Sequence, residues 1–147
     1  MIDLDILTAR VRDQLKVDEG YRDRPYKDSR GYLTIGYGWC LDTSPMRRIE
    51  ADFRLGNDIS EAISECIESI PWFQEIGTVR QVVLVNMAFN LGIRGLLRFV
   101  KMLEALSHGQ NQIAAGEMRN SMYAGQVGQR AERLALMLET GQWPAQE

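Results

Sequence analysis

The sequence predicts an α+β fold that is mostly helical: a small N-terminal lobe with a short antiparallel sheet, a connecting helix, and a larger all-helical C-terminal lobe. Three observations predict it. Residues 21–41 carry four Tyr and three Gly, with Pro25, Thr34 and Ile35 among them, the residue types of short strands and tight turns. Apolar residues recur at helical spacing through most of the remainder. Residues 78–91 are apolar on nearly every side, as expected of a helix at the centre of a helical lobe. The 147 residues, 45% hydrophobic and 25% charged, are enough for a single globular domain over 1–147 with a core of its own.

Leu4, Ile6, Leu7, Val11 and Leu15 fall on one side of an amphipathic helix over 3–18, which the domain reading groups with the helical lobe. Gly20 supplies its exit. The β-containing lobe covers 20–45. Within it Asp28-Ser29-Arg30-Gly31 has turn chemistry, with Asp first and Gly last. A sheet this small needs support from elsewhere. Asp42-Thr43-Ser44-Pro45 signals a helix start. The connecting helix covers 46–70, with Ile49, Phe53, Leu55, Ile59, Ile63 and Ile67 set among acids, and Gly56-Asn57 leaves open one helix or two. The helical lobe covers 71–147. Gly92 and Gly95 punctuate the end of its central helix, further helical patterns cover 96–107, 110–120 and 128–140, and Gly141 closes the last.

Charge and cysteine usage exclude several function classes. Residues 1–45 carry seven Lys/Arg against eight Asp/Glu, 46–79 three against seven, and 80–147 seven against five. No basic stripe emerges, so no nucleic acid partner is expected. The mild positive surplus of the last segment suits a solvated surface or an anionic wall polymer. Cys40 and Cys66 form no CxxC pair, and the chain has one His, so neither a zinc site nor any other metal site is expected. That His108 sits in a polar run, Ser107-His108-Gly109-Gln110, which argues against a Cys-His nucleophile. The first fifteen residues lack the apolar stretch of a secretory signal, and no run of about 18 apolar residues could span a bilayer. The expectation is synthesis in a cytoplasm without membrane insertion.

Glu19, Asp28 and Thr34 are the candidate catalytic residues. Glu19 stands where a helix gives way to strands, Asp28 at a turn, and Thr34 in the returning strand. Cleavage of a glycosidic bond needs one carboxylic acid to protonate the leaving oxygen. It needs a second carboxylate to activate water, attack the sugar or stabilise its positive charge. A strand hydroxyl can hold a water. Each residue also has a plainer reading. Glu19 could be a solvated helix end, with Asp18 beside it able to serve as well; Asp28 could only make its turn; Thr34 could only favour a strand.

The stretches Leu15-Lys16-Val17-Asp18-Glu19-Gly20-Tyr21-Arg22, Tyr26-Lys27-Asp28 and Gly31-Tyr32-Leu33-Thr34-Ile35-Gly36-Tyr37-Gly38 resemble the phage-type lysozymes of glycoside hydrolase family 24. In that family a Glu, an Asp and a Thr are spaced by nine and then six residues, as Glu19, Asp28 and Thr34 are here. Asn86-Met87-Ala88-Phe89-Asn90-Leu91-Gly92 resembles the family's central-helix motif. Gln126 to Arg133, with Thr140-Gly141-Gln142-Trp143, resembles its C-terminal signature. The resemblance implies a lysozyme-like fold with the active site between two lobes, Glu19 as general acid, and Asp28 and Thr34 acting on the opposite side of the sugar.

It also implies that Arg130 pairs with Glu19 and that Phe89 touches sugar, where plain core packing is the alternative. Tyr26, Trp39 and Cys40 join Phe89 as substrate-contact candidates. Trp39 stands where the family often has His, and its ring could stack on a sugar or seal a small core. Cys40 takes an apolar cleft position, Tyr123 stands where a Trp is common, and the stretch 42–57 is short for the family. The implied activity is hydrolysis of the β-1,4 bond between N-acetylmuramic acid and N-acetylglucosamine in bacterial peptidoglycan, by inversion, with no cofactor. The implied setting is a monomeric phage endolysin or a virion-associated enzyme. An endolysin made in the host cytoplasm and acting in the periplasm needs a separate membrane-permeabilising protein. A lytic transglycosylase and a non-catalytic wall-binding module are the alternatives; the retained Asp28 and Thr34 argue against the first, and Glu19 against the second.

Overall fold

A computed structural model describes residues 3–145. Helix α1 (Leu4–Glu19) leads into strands β1 (Arg22–Lys27), β2 (Leu33–Gly36) and β3 (Trp39–Cys40). Helix α2 (Arg48–Ser69) and a short 3-10 turn at Phe73–Glu75 follow, then α3 (Thr78–Leu97), α4 (Val100–Ser107), α5 (Asn111–Arg119), α6 (Met122–Val127) and α7 (Gln129–Thr140). The mostly helical α+β class predicted from the sequence is the class observed. The chain divides into two compact units, with the boundary after Ala51, inside α2.

In the first unit, the Asp3 carboxylate accepts hydrogen bonds from the backbone N–H groups of Asp5 and Ile6 at 3.1 Å each and so starts α1. A cap of this kind is worth about 1 kcal/mol. The helix ends at Gly20, whose φ of 66° and ψ of 159° turn the chain sharply into the sheet. The sheet is antiparallel in the order β1-β2-β3. Arg22 pairs with Gly36 and Tyr26 with Thr34, so β1 carries extra residues between these pairs and bulges. Pro25 falls in that bulge, where its missing N–H leaves no gap in the ladder.

Helix α2 is continuous, which answers the question Gly56-Asn57 left open. A helical Gly costs about 1 kcal/mol relative to Ala, too little to break a helix of 22 residues that buries Ala62 and Cys66. At its start the Glu50 carboxylate accepts from the Arg47 backbone N–H at 2.8 Å and from the Arg47 guanidinium at 2.7 Å. The hydrogen bond from that side chain holds the Glu50 carboxyl below its ordinary range. Burial pushes the Cys66 thiol up to about 11, so it packs as a small apolar side chain.

The core of the second unit centres on α3, with Val83, Leu84 and Met87 sealed from solvent beside Leu96, Met118 and Leu138. Gly92 breaks the helical path at φ 73° and ψ 159°, as its position predicted. Gly95 does not: it stays helical. Helix α3 is also not buried all round, because Val82 and Phe89 are exposed on its other side. Helix α6 has no counterpart among the predicted elements. Six residues are too few to show a helical period, and its start rests on Ser121, whose hydroxyl accepts from the Ala124 N–H at 3.3 Å.

Arg80 ties the start of α3 to the end of α7. Its Nε donates to the Leu138 carbonyl at 2.7 Å and its Nη2 to the Glu139 carbonyl at 3.3 Å, two of the groups a helix end leaves unpaired. Arg80→Ala is expected to lower stability by about 1–3 kcal/mol, the range for losing hydrogen bonds from a charged donor. A thermal melt reads this directly; an unchanged Tm would show that solvent serves those carbonyls equally well.

Candidate active site

The hairpin between β1 and β2 is built around the Asp28 side chain. Its Oδ1 accepts from the backbone N–H of Arg30 at 2.8 Å and of Tyr32 at 2.9 Å. The backbone closes the turn with Gly31 N–H to the Asp28 carbonyl and Asp28 N–H to the Tyr32 carbonyl, both 2.9 Å. Gly31 takes φ 84°, a conformation that favours glycine. One carboxylate oxygen is therefore fixed. The other accepts no hydrogen bond among the described residues, so Asp28, a half-buried residue, presents an oriented carboxylate oxygen with no partner there.

Thr34 is the buried polar side chain of the described residues, 3% exposed. Its hydroxyl donates to the Tyr32 carbonyl at 3.2 Å, which leaves the oxygen's lone pairs to accept. Thr34 pairs with Tyr26 on one side and Cys40 on the other. Directly paired residues share a face of the sheet, so Tyr26, Thr34 and Cys40 form one row across all three strands. The guanidinium of Arg22 covers the Tyr26 ring at 4.5 Å from its centroid. Trp39 pairs with Ile35 and so points to the opposite face from Thr34. Its Nε1 donates to the Ser44 carbonyl at 3.0 Å, tying the following turn to the sheet. The structure thus groups Tyr26 and Cys40 with Thr34 and sets Trp39 apart from them.

Glu19 is the last residue of α1. The tight turn between β2 and β3, Gly36-Tyr37-Gly38, lies against it. Tyr37 packs its ring on Tyr21, with centroids 5.4 Å apart, while the Lys16 ammonium sits 5.7 Å from the Tyr37 centroid. Both partners flank Glu19 in sequence. This clamp brings Gly38 so close to the Glu19 carboxylate that a Cβ at position 38 would lie 2.7 Å from Oε2.

Phe89 and Arg130 lie in the second unit. Arg130 Nη2 and Nε donate to the Asn86 Oδ1 at 2.7 and 3.1 Å. Arg130, Asn86 and exposed Phe89 line one groove of about 530 Å³ together with Leu55, Ile59 and Val85. Tyr123 is 4% exposed, packs edge-on against Phe99 at 5.9 Å, and its hydroxyl meets no partner among the described residues. Burial raises the pKa of that hydroxyl.

Asp42 escaped the sequence reading. Its Oδ2 accepts from the Leu33 N–H at 2.7 Å, next to the Leu41 N–H to Leu33 carbonyl bond of 2.8 Å. The side chain thereby extends the pairing of β2 beside Thr34, and only the Asp-Thr-Ser-Pro turn signal pointed near it. Asp42→Ala is expected to cost about 1 kcal/mol and to speed hydrogen exchange at the Leu33 amide, while Asp42→Asn, still an acceptor, keeps most of the protection. Equal exchange in both variants would deny Asp42 this role.

Among the described residues no cluster of three His, Cys, Asp or Glu could hold a metal ion, and no single helix is long and apolar enough to cross a membrane. The model of the phage lysozyme family matches residues 16–135. Probable T4-type lysozyme 1 of Dictyostelium discoideum is 27% identical over 92% of this chain and 96% of its own length. Probable T4-type lysozyme 2 of the same organism is 26% identical over the same shares. The pre-baseplate central spike protein Gp5 of Enterobacteria phage T4 is 28% identical over 89% of this chain but only 28% of its own length. This chain therefore spans little more than a quarter of that protein.

Proposed function

The chain belongs to the phage lysozyme family, and from that premise we propose that it cuts the β-1,4 bond between N-acetylmuramic acid and N-acetylglucosamine with Glu19 as general acid. It is a glycosidase of the lysozyme type that hydrolyses peptidoglycan; the bond cut and the residues that cut it are the proposal. The observation that carries it is the Asp28 turn, where one carboxylate oxygen is held by two backbone N–H groups and the other is left for chemistry.

In this reading protonated Glu19 donates its proton to the glycosidic oxygen as the bond breaks. Asp28 accepts a proton from water on the other side of the sugar, and the Thr34 oxygen accepts that water's second hydrogen. The two carboxylates stand at opposite ends of β2, Glu19 by the Gly36-Tyr37-Gly38 turn and Asp28 by Tyr32. Inversion requires room for a water between the two carboxyls, and their placement at different ends of the strand is in keeping with that. Tyr26 and Cys40, flanking Thr34, are the proposed sugar contacts on the sheet.

Product analysis tests the reaction. Muropeptides released from permeabilised cells should carry reducing N-acetylmuramic acid ends, one water heavier than the 1,6-anhydro ends of a lytic transglycosylase. Anhydro products would overturn the hydrolytic assignment, and wall binding without release of any fragment would favour a non-catalytic module.

The proposal extends to a bacteriophage setting. One form of it is an endolysin, admitted to the wall by a separate membrane-permeabilising protein; the T4-type lysozymes of Dictyostelium match this chain over nearly their whole length. The likeness to part of a spike protein supports the virion-borne alternative. Finding the chain in purified particles would select the second.

A further inference from the structure

We infer that Gly38 is a positioning residue for the Glu19 carboxylate, present because any side chain there would displace the proton donor. The inference rests on the reading of Glu19 as general acid. Of the positive-φ glycines in the sheet region, Gly31 (φ 84°) and Gly36 (φ 68°) have open space where a Cβ would stand, whereas at Gly38 (φ 78°) that atom would lie 2.7 Å from Glu19 Oε2 and 3.2 Å from Cδ. Real Cβ atoms do not approach an oxygen that closely, so something must move.

What moves is set by stiffness. The turn is pinned by the Tyr37–Tyr21 ring contact and the Lys16 ammonium, and by the pairing of Ile35 with Trp39. The Glu19 carboxylate is the far end of a flexible chain on an exposed helix end. It yields first, by rotating away from the turn, and little folding stability is lost by that route. Catalysis has no such tolerance, because a displacement of about 1 Å of a reacting group can lower a rate about a hundredfold. The close approach therefore confines the carboxylate from one side, and Gly38 is the residue that permits it to sit there.

Gly36 provides the control. Ala at 36 or at 38 meets the same left-handed backbone strain, but only the substitution at 38 reaches Glu19. Gly36→Ala, Gly38→Ala and Gly38→Asn are compared with wild type on soluble uncrosslinked peptidoglycan strands, with kcat, KM and Tm measured for each. Asn tolerates positive φ better than Ala, so it keeps the test usable if Gly38→Ala does not fold. The expected result is a loss of kcat on the order of a hundredfold in both Gly38 variants with KM little changed, while Gly36→Ala loses Tm but keeps kcat within about twofold of wild type, as expected of a change that leaves the reacting groups in place. A folded Gly38→Asn with wild-type kcat overturns the inference, as does an equal kcat loss in Gly36→Ala. Glu19→Gln is run beside them. If it stays active, the reading of Glu19 fails; if it is inactive while the Gly38 variants are not, the positioning role alone fails.

Discussion

Glu19→Gln is expected to lower peptidoglycan hydrolysis by about a thousandfold, within the 10²–10⁴ range for removing a general acid, with Tm nearly unchanged. The amide keeps the shape of the side chain and can still donate a weak hydrogen bond, but it cannot deliver a proton to the departing sugar. The fold has little stake in this residue: Glu19 is exposed at the last position of α1, and the helix exit is made by the Gly20 backbone N–H to the Lys16 carbonyl at 3.2 Å. Clearing of permeabilised bacterial cells measures the effect. Equal clearing by both proteins would remove Glu19 from the mechanism and bring Asp18 forward.

Asp28 is expected to separate catalysis from folding through two substitutions. Asp28→Asn keeps a side-chain oxygen to accept from the Arg30 and Tyr32 N–H groups, so the turn should hold with a loss of at most about 1 kcal/mol. The negative charge that draws a proton from water is gone, and activity should fall about a hundredfold or more. Asp28→Ala loses the acceptor as well. With two backbone donors unpaired it should cost a further 1–3 kcal/mol or so and loosen β2 beside Thr34. An active Asp28→Asn would reduce Asp28 to a turn residue, the plainer reading that its sequence alone allows.

Much of this was legible because it is local. The Asp28-to-Gly31 turn closes within five residues, so residue type at each position is enough to foresee it. The helices of α1 and α7 show their period along the chain, α3 shows as a long apolar run, and Gly20, Gly92 and Gly141 mark their breaks and ends because each adopts a positive φ. Helix α6 was not legible, since six residues contain less than two turns. Gly95 misled for the opposite reason: glycine permits a break without requiring one, and the packing of Leu96 into the core keeps that turn helical.

Residue type and spacing were enough for the fold class, for the order of the elements apart from α6, and for naming the three candidate residues, whose motifs lie within sixteen positions of one another. Tertiary structure alone decided which side chains share a face. A shift of one residue in register would exchange Trp39 for Cys40 beside Thr34, because strand side chains alternate, and no residue of β3 announces its partner in advance. Asp42 beside the Leu33 amide and Gly38 against the Glu19 carboxylate are of the same kind. They depend on where the chain returns after a turn, a matter of geometry through space and not of spacing along the chain.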